Sequence, residues 1–252
     1  MKNTSLFKLL FLLCALVVAP LDINAQSSNA KSDQKIKYKK ARALQSSTAK
    51  KMAKVYEALE RIDEETGKED PDYDTAKELL GGLRNDAENL KSYDRSVLWN
   101  SWGYMYIIDE KVDLATDAYT RLINEPEVTL GLRNAGLLTL AQLYMASEEF
   151  EKSIELLLEW MSQVEKVTAQ SWSILATAYY QLGDFDKALK NMEKAITLAE
   201  EEGYKPKENW YIVVVASVEE LKDKIGPKNA MLRQVDIYEI LVNLYPKKSY
   251  FV

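Results

Sequence analysis

The sequence predicts an all-α fold, an α-solenoid of about five helical hairpins in which the chain ends as a sixth hairpin begins. Two observations indicate this class. Large and small apolar residues recur with helical spacing from Ala169 to Glu202, and the same set returns along the chain. One hairpin cannot bury its own apolar face, so several stacked copies are expected. The residues at the equivalent fourth position of successive copies are separated by 38, 35 and 38 positions: Trp99, Leu137, Trp172 and Trp210.

The clearest copy is a 34-residue unit numbered from Ala169 as position 1. Its small residues, Ala176 at position 8 and Ala188 at position 20, allow the two helices to approach closely. Between the helices, Gly183 can adopt positive φ and Asp184 can cap the second helix. This pattern resembles the tetratricopeptide (TPR) repeat, in which a first and a second helix form each unit. The large residues of the pattern occupy positions 4, 7, 11 and 24: Trp172, Leu175, Tyr179 and Met192.

Residues 1–25 are predicted to be a secretory signal peptide. Lys2 and Lys8 precede a short apolar run, and small residues before Gln26 are typical of a cleavage site. Leu13 stands just before Cys14, where a lipoprotein signal would have a small residue, so no lipid anchor is expected. Cleavage would place the product in the periplasm with no membrane insertion afterwards.

Residues 26–45 are predicted to be a disordered basic leader, with six Lys or Arg side chains and almost nothing to bury. A second interpretation is an arm that meets an acidic partner or membrane phosphates, and the residues leave this open. Removal of Lys2, Lys8 and Asp22 from 33 basic and 39 acidic residues leaves 31 and 38. This negative balance disfavours nucleic acid as a partner.

The repeat domain is predicted over residues 46–252. Pro126 should end a helix, and the adjacent Gly81 and Gly82 could bend or fray another. The predicted repeats lie near 50–90, 96–133, 134–168, 169–206 and 207–247.

The last repeat contains about eight extra residues around 223–228, where Gly226 and Pro227 should break the helix. Its second helix is expected to recover the core pattern through Tyr238, Leu241 and Leu244. The final residues, 247–252, read as the start of another first helix. We therefore expect an exposed apolar end and a fragment of a longer repeat protein.

An enzyme is not predicted, and the sequence indicates no catalytic residue, cofactor site or metal site. The chain has no histidine, and its one cysteine, Cys14, lies in the signal peptide. Adjacent acidic residues such as Glu148 and Glu149 point about 100° apart on a helix, which is typical of a solvated face. An enzyme that uses carboxylates remains a remote alternative.

The TPR resemblance implies a partner-binding groove, because in TPR proteins positions 2, 5, 9, 12 and 13 of each first helix line a concave surface. Carried onto this chain, those positions give an uncharged surface rich in aromatic and amide groups, suited to a protein or peptide segment. The groove residues predicted in this way are Asn100, Tyr104, Ile108, Gln142, Met145, Ser173, Thr177, Tyr180, Gln181 and Tyr211.

Two segments, Lys207–Tyr211 and Leu244–Tyr250, resemble a narrower group over roughly residues 45–252. They are similar to exported TPR proteins of marine gammaproteobacteria that accompany the energy-transducing components TonB, ExbB and ExbD. Leu143-Tyr144 and the run Ala178 to Asp184 add to this similarity. The resemblance implies a periplasmic TPR scaffold accessory to TonB-dependent transport, with a TonB-system component as the partner. A general envelope-assembly scaffold or adaptor is the alternative.

Overall fold

The computed structural model describes residues 43–246, of which 76% are helical. No strand occurs within that range. The predicted all-α class and its TPR-like helical repeat arrangement are confirmed. The predicted signal peptide, nearly all of the basic leader and the last six residues lie outside the described range. The helices are α1 (Ser46–Leu59), α2 (Tyr73–Asn85), α3 (Ser92–Ile108), α4 (Val112–Ile123), α5 (Leu130–Ala146), α6 (Phe150–Gln163), α7 (Ala169–Gln181), α8 (Phe185–Glu201), α9 (Glu208–Glu220), α10 (Lys222–Ile225) and α11 (Pro227–Leu244).

The chain divides into two compact units, Met1–Ser147 and Glu148–Val252. The described part of the first unit contains α1 to α5, and each of these helices packs against the next. Its core is formed by large side chains with almost no exposed surface, among them Leu80, Leu98, Met105, Leu122 and Leu137.

The hairpin of α3 and α4 shows why a small residue is required at position 8. A Cβ atom on Gly103 would lie 2.6 Å from the ring of Tyr119, which occupies position 24 of the same repeat. No real Cβ contact is that short, so the two helices can pack this closely only because Gly103 has no side chain. The expectation that a small residue at position 8 allows the two helices to approach closely is met in this hairpin.

The buried carboxylate of Asp94, on α3, holds the first residues of α1 against α3. Asp94 accepts hydrogen bonds from the Gln45 backbone N–H at 3.2 Å and from the Thr48 hydroxyl at 2.8 Å. These bonds satisfy a charge that would otherwise be costly to bury, and they cap a helix that has no side-chain cap of its own.

In the second unit α6 packs on α7, α7 on α8, α8 on α9, and α9 on α11. One cluster of buried apolar side chains runs through α7, α8, α9 and α11, including Ala176, Met192, Val218 and Leu241. The turn between α7 and α8 forms as predicted: Gly183 has φ +76°, and Asp184 accepts from the Lys187 N–H at 3.2 Å.

The predicted break in the last repeat is also present. Gly226 has φ +89°, a conformation that favours glycine, and Pro227 is the first residue of α11. Tyr238, however, is exposed, and the neighbouring Ile237 is buried in its place. The predicted core position was wrong for Tyr238, whereas Leu241 is buried as expected and Leu244 is half-buried.

Two other expectations need adjustment. α2 continues through Gly81 and Gly82 without interruption. Trp102 and Trp210 are buried core residues, whereas Trp99 and Trp172 are half-buried. Trp172 packs against the buried cluster of the second unit, and the Lys194 Nζ lies 3.8 Å from the centre of its ring.

Candidate functional site: the first-helix faces

In the first unit, the predicted groove residues lie on α3 and α5, two first helices that contact each other. Asn100, Tyr104 and Ile108 follow one another at four-residue intervals and so share one side of α3. All three retain solvent-exposed surface, as do Gln142 and Met145 on α5. These five residues keep solvent-exposed surface, and their role in binding remains a prediction.

Neutral tyrosines surround this part of α3. Burial and the neighbouring Tyr73, with which Tyr104 shares a hydrogen bond, raise the pKa of Tyr104 to about 12. Burial also raises the pKa of Tyr93, which lies seven residues before Asn100 on the same side of the helix. A tyrosine hydroxyl is neutral at pH 7 with or without such a shift, and the Tyr104 hydroxyl is already hydrogen-bonded to Tyr73.

Tyr56 of α1 extends the same surface. Its ring is partly exposed, but its hydroxyl contacts Ser101 of α3, and burial raises its pKa. Sequence reasoning missed Tyr56 and Tyr93 because neither occupies one of the assigned repeat positions. The seven-residue spacing from Tyr93 to Asn100, two helical turns, could have revealed the second of them.

Asn134 of α5 was also missed. Its side-chain oxygen is buried and accepts no hydrogen bond from the described residues. Asn134 precedes Leu138 by one helical turn and lies on the same side of α5 as Gln142 and Met145. This oxygen has almost no accessible surface, so a bound segment cannot reach it, and Asn134, which is partly exposed, can contribute only through its side-chain NH2 group.

We refer to this surface as the α3–α5 face. It combines neutral hydrogen-bonding groups with tyrosine rings and two apolar side chains. Its members are Tyr93, Asn100, Tyr104, Ile108, Asn134, Gln142 and Met145.

In the second unit the corresponding helices are α7 and α9, and here two predictions fail. Ser173 is only 3% exposed, and its hydroxyl donates to the Gln170 carbonyl at 2.8 Å. Tyr211 is also 3% exposed, and its hydroxyl donates to Glu200 Oε1 of α8 at 3.2 Å. Burial, followed by the charge of Glu200, raises the pKa of Tyr211. Both residues are interior contacts and are not available as groove residues.

The next residue of α9, Ile212, is 43% exposed and takes the outward position expected for Tyr211. Thr177 and Tyr180 of α7 remain partly exposed, and Gln181 is exposed. The Thr177 hydroxyl already donates to the Ser173 carbonyl at 2.8 Å, and the Tyr180 ring packs edge-on against Phe185.

The expectation of an uncharged surface also fails in the second unit. The Lys207 Nζ donates to Gln170 Oε1 at 2.7 Å, which places a cation on the first-helix side. Of the two units, the first therefore offers the more accessible and more neutral face.

Three of the acidic residues that stand in adjacent pairs or runs form ion pairs, among them Glu149 with Lys152. Glu202 pairs with Lys166 at 2.6 Å, and Glu219 pairs with Lys222 at 2.6 Å. Lys222 lowers the pKa of Glu219, whereas a general acid near neutral pH requires a raised pKa. Residues 43–246 contain no cluster of three potential metal-ligating side chains. Within the same range, no helix has both the length and the apolar content needed to cross a membrane.

Comparison with known proteins supports the repeat assignment. Residues 133–201 match the tetratricopeptide repeat family model. The comparison with curated proteins returns no match.

Solved structures show the same fold at low sequence identity. The apo form of RapI has a TM-score of 0.56 and 13% identity, covering 81% of this chain and 72% of RapI. MamA has a TM-score of 0.54 and 17% identity, covering 81% of this chain and 94% of MamA. TPR-like repeats of a Podospora anserina protein described as a kinesin light chain have a TM-score of 0.54 and 15% identity, with coverages of 80% and 97%.

The family match and the shared fold together support a TPR repeat protein. TPR proteins bind protein partners, and their fold is typically a non-enzymatic interaction scaffold.

Proposed function

We propose that this protein is an interaction scaffold that binds an extended protein segment on the α3–α5 face. The observation that carries the proposal is the row Asn100, Tyr104 and Ile108, which keeps solvent-exposed surface along one side of α3. An extended segment has one unpaired N–H and one unpaired C=O at most residues. The amides of Asn100 and Asn134 can pair with these groups, and the Tyr104 ring can support a side chain.

This chemistry predicts binding that changes little with salt. The α3–α5 face has no lysine, arginine, aspartate or glutamate among its members, so no charge pair dominates the contact. A partner held by the basic leader would instead dissociate as the salt concentration rises.

We further propose that the scaffold acts in the periplasm as an accessory of TonB-dependent transport. The predicted signal peptide supports export, and the resemblance of Lys207–Tyr211 and Leu244–Tyr250 to TonB-associated proteins supports this pathway. A general envelope-assembly scaffold would use the same surface and is the alternative.

Affinity selection from a library of random extended peptides provides a binding probe that does not depend on the natural partner. Peptides selected on the wild-type protein are expected to bind Asn100→Ala/Tyr104→Ala at least tenfold more weakly, because the double variant removes an amide and a ring. Asn209→Ala, at an exposed position of the second unit, is the matched control and should bind like the wild type. Thermal unfolding should show that both variants are folded at the temperature of the binding measurement, with a lower melting temperature for the double variant because Tyr104 is half-buried.

Raising NaCl to about 0.5 M should weaken wild-type binding less than threefold. Full retention of binding by the double variant would refute the α3–α5 face. Loss of binding in salt, together with loss on neutralising Lys35 to Arg42, would assign the interaction to the leader.

Two cellular measurements test the proposed pathway. Cell fractionation should place the protein in the periplasm, with Gln26 as its first residue. Deletion should impair growth on substrates that enter by TonB-dependent uptake while other envelope functions are preserved. A general defect in outer-membrane proteins would favour the envelope-assembly alternative.

A further inference from the structure

The outward side of α11 carries the largest concentration of exposed apolar residues in the described chain. Of the thirteen large hydrophobic residues that are exposed within residues 43–246, five lie on this one helix. Met231 is 66% exposed and Leu232 54%. In contrast, α8, also a second helix, has none of the thirteen.

Four of the five exposed residues form a stripe. Met231, Val235 and Tyr238 follow the spacing i, i+4, i+7, and Leu232 borders them. Val242 continues the stripe one turn beyond Tyr238 and is half-buried. The fifth exposed residue, Ile240, lies well off this line. An apolar stripe of this kind marks a helix that packs against another helix.

Another side of α11 packs in the core of the second unit. The exposed stripe is therefore a separate apolar surface of this helix. Ala230, Ile237 and Leu241 are buried in the core of the second unit. Arg233 pairs with Glu193 of α8, and the Tyr245 hydroxyl donates to the Pro206 carbonyl.

Charged residues on the same side of α11 indicate what packs against the stripe. Lys228 stands near the start of the stripe and Glu239 near its end, and both side chains are exposed. Neither forms an ion pair with another residue in the part of the chain that the structure describes. A helix with a cation at one end and an anion at the other is complementary to an antiparallel copy of itself.

We propose that two copies of this chain dimerise through antiparallel packing of their α11 helices, with Val235 opposite Val235. In this register Lys228 of one copy lies within about one helical turn, roughly 5 Å along the axis, of Glu239 of the other. Parallel packing would place Lys228 beside Lys228 and Glu239 beside Glu239, which is unfavourable.

The dimer is expected to be weak. One helix on each side covers less than the ~1,200 Å² that stable interfaces bury. We therefore expect a dissociation constant of about 10–100 μM.

Sedimentation velocity on the full chain tests the dimer. The wild type should change from monomer to dimer as its concentration rises from about 5 to 200 μM. Val235→Lys should raise the dissociation constant at least tenfold. Ile240→Lys makes the same kind of change at an exposed position off the stripe and should leave the dimer intact. Both variants should keep the wild-type melting temperature.

Disulfide cross-linking in a Cys14→Ser background tests the orientation. Val235→Cys should cross-link to itself, and a mixture of Lys228→Cys and Glu239→Cys should give the mixed product. Lys228→Cys alone should remain uncross-linked.

Four results would overturn the proposal. One is a wild type that remains monomeric to 200 μM, and another is equal weakening by Val235→Lys and Ile240→Lys. The third is efficient cross-linking of Lys228→Cys to itself. Failure of maleimide to label Val235→Cys in a monomer would also contradict it, because another segment of the same chain would then cover the stripe.

Discussion

The same repeat position has different surroundings in the two units. Leu138 of α5 and Tyr211 of α9 both occupy position 5 of their first helices. Leu138 keeps part of its surface exposed, whereas Tyr211 is buried and bonded to Glu200. The second helix that precedes each residue explains the difference. α4 has 12 residues and ends at Ile123, while α8 has 17 residues and ends at Glu201.

The residue at position 31 of each repeat sets the lengths of these two helices. Pro126 occupies position 31 of its repeat, and α4 stops shortly before it. Position 31 of the later repeat is Ala199, an excellent helix former, and α8 continues past it. The five extra residues extend α8 by about 7 Å and bring Ala199 and Glu200 against α9. The repeat position of a residue thus predicts the direction of its side chain. The length of the preceding second helix determines whether that side chain is buried.

The largest effect is expected from ending α8 early. Ala199→Pro removes a helical hydrogen bond and introduces a clash, so we expect a loss of about 3 kcal/mol or more in the free energy of unfolding, measured in urea. Tyr211 should become more accessible to quenchers. Pro126→Ala is the control, and its effect should be below about 1 kcal/mol because Pro126 lies in a loop. Equal effects in the two variants would contradict the role assigned to helix length.

Two glycines provide a sharper comparison within the first unit. Gly103→Ala forces a Cβ to within 2.6 Å of the Tyr119 ring, and we expect a loss of about 1–3 kcal/mol. Gly81→Ala meets no atom within 4 Å and should gain up to about 1 kcal/mol from helix propensity. Chemical denaturation measures both changes. A stabilising Gly103→Ala would mean that α3 and α4 are farther apart than described.

Tyrosine-to-phenylalanine variants, which each remove one hydroxyl, distinguish an interior tyrosine from a surface tyrosine by the stability that is lost. Tyr211→Phe deletes the bond to Glu200 and should cost about 0.5–1.5 kcal/mol. Tyr104→Phe should cost less, because Tyr104 is partly exposed and water can replace its bond. Urea unfolding of the two variants side by side decides the order, and a larger loss for Tyr104→Phe would reverse the assignment of the two faces.

The smallest effect is a change in pH dependence. The pKa of Tyr104 is raised to about 12, above the ~10 of an unfolded tyrosine. The folded state therefore holds this proton more tightly, and the resulting stabilisation is complete below pH 10 and lost as the pH rises towards 12. Between about pH 9 and pH 11.5, Tyr104→Phe should lose less stability than the wild type.

Tyr204→Phe, at an exposed loop position, is the matched control for this titration and should follow the wild type. The same pH dependence in all three proteins would show that Tyr104 is not held in the buried, hydrogen-bonded setting described.

The sequence alone predicted much of this structure because repeat packing depends on local residue sizes. The close approach of α3 and α4 at Gly103 follows from the small residue expected at position 8, and the break at Gly226 follows from backbone conformation. Tyr238 was misplaced because residue type alone does not show which of two adjacent apolar residues, Ile237 or Tyr238, faces the core. Asn134 was missed because the burial of its oxygen depends on neighbouring helices.

The central claim is that a partner occupies the α3–α5 face, and photo-cross-linking in living cells tests it most directly. A benzoylphenylalanine in place of Tyr104 should yield a discrete adduct with a partner protein, which mass spectrometry can identify. The same photoreactive residue in place of Tyr204, an exposed tyrosine of the second unit, is the control and should yield none. Equal adducts at both positions, or an adduct only from a probe placed in the basic leader, would contradict the account.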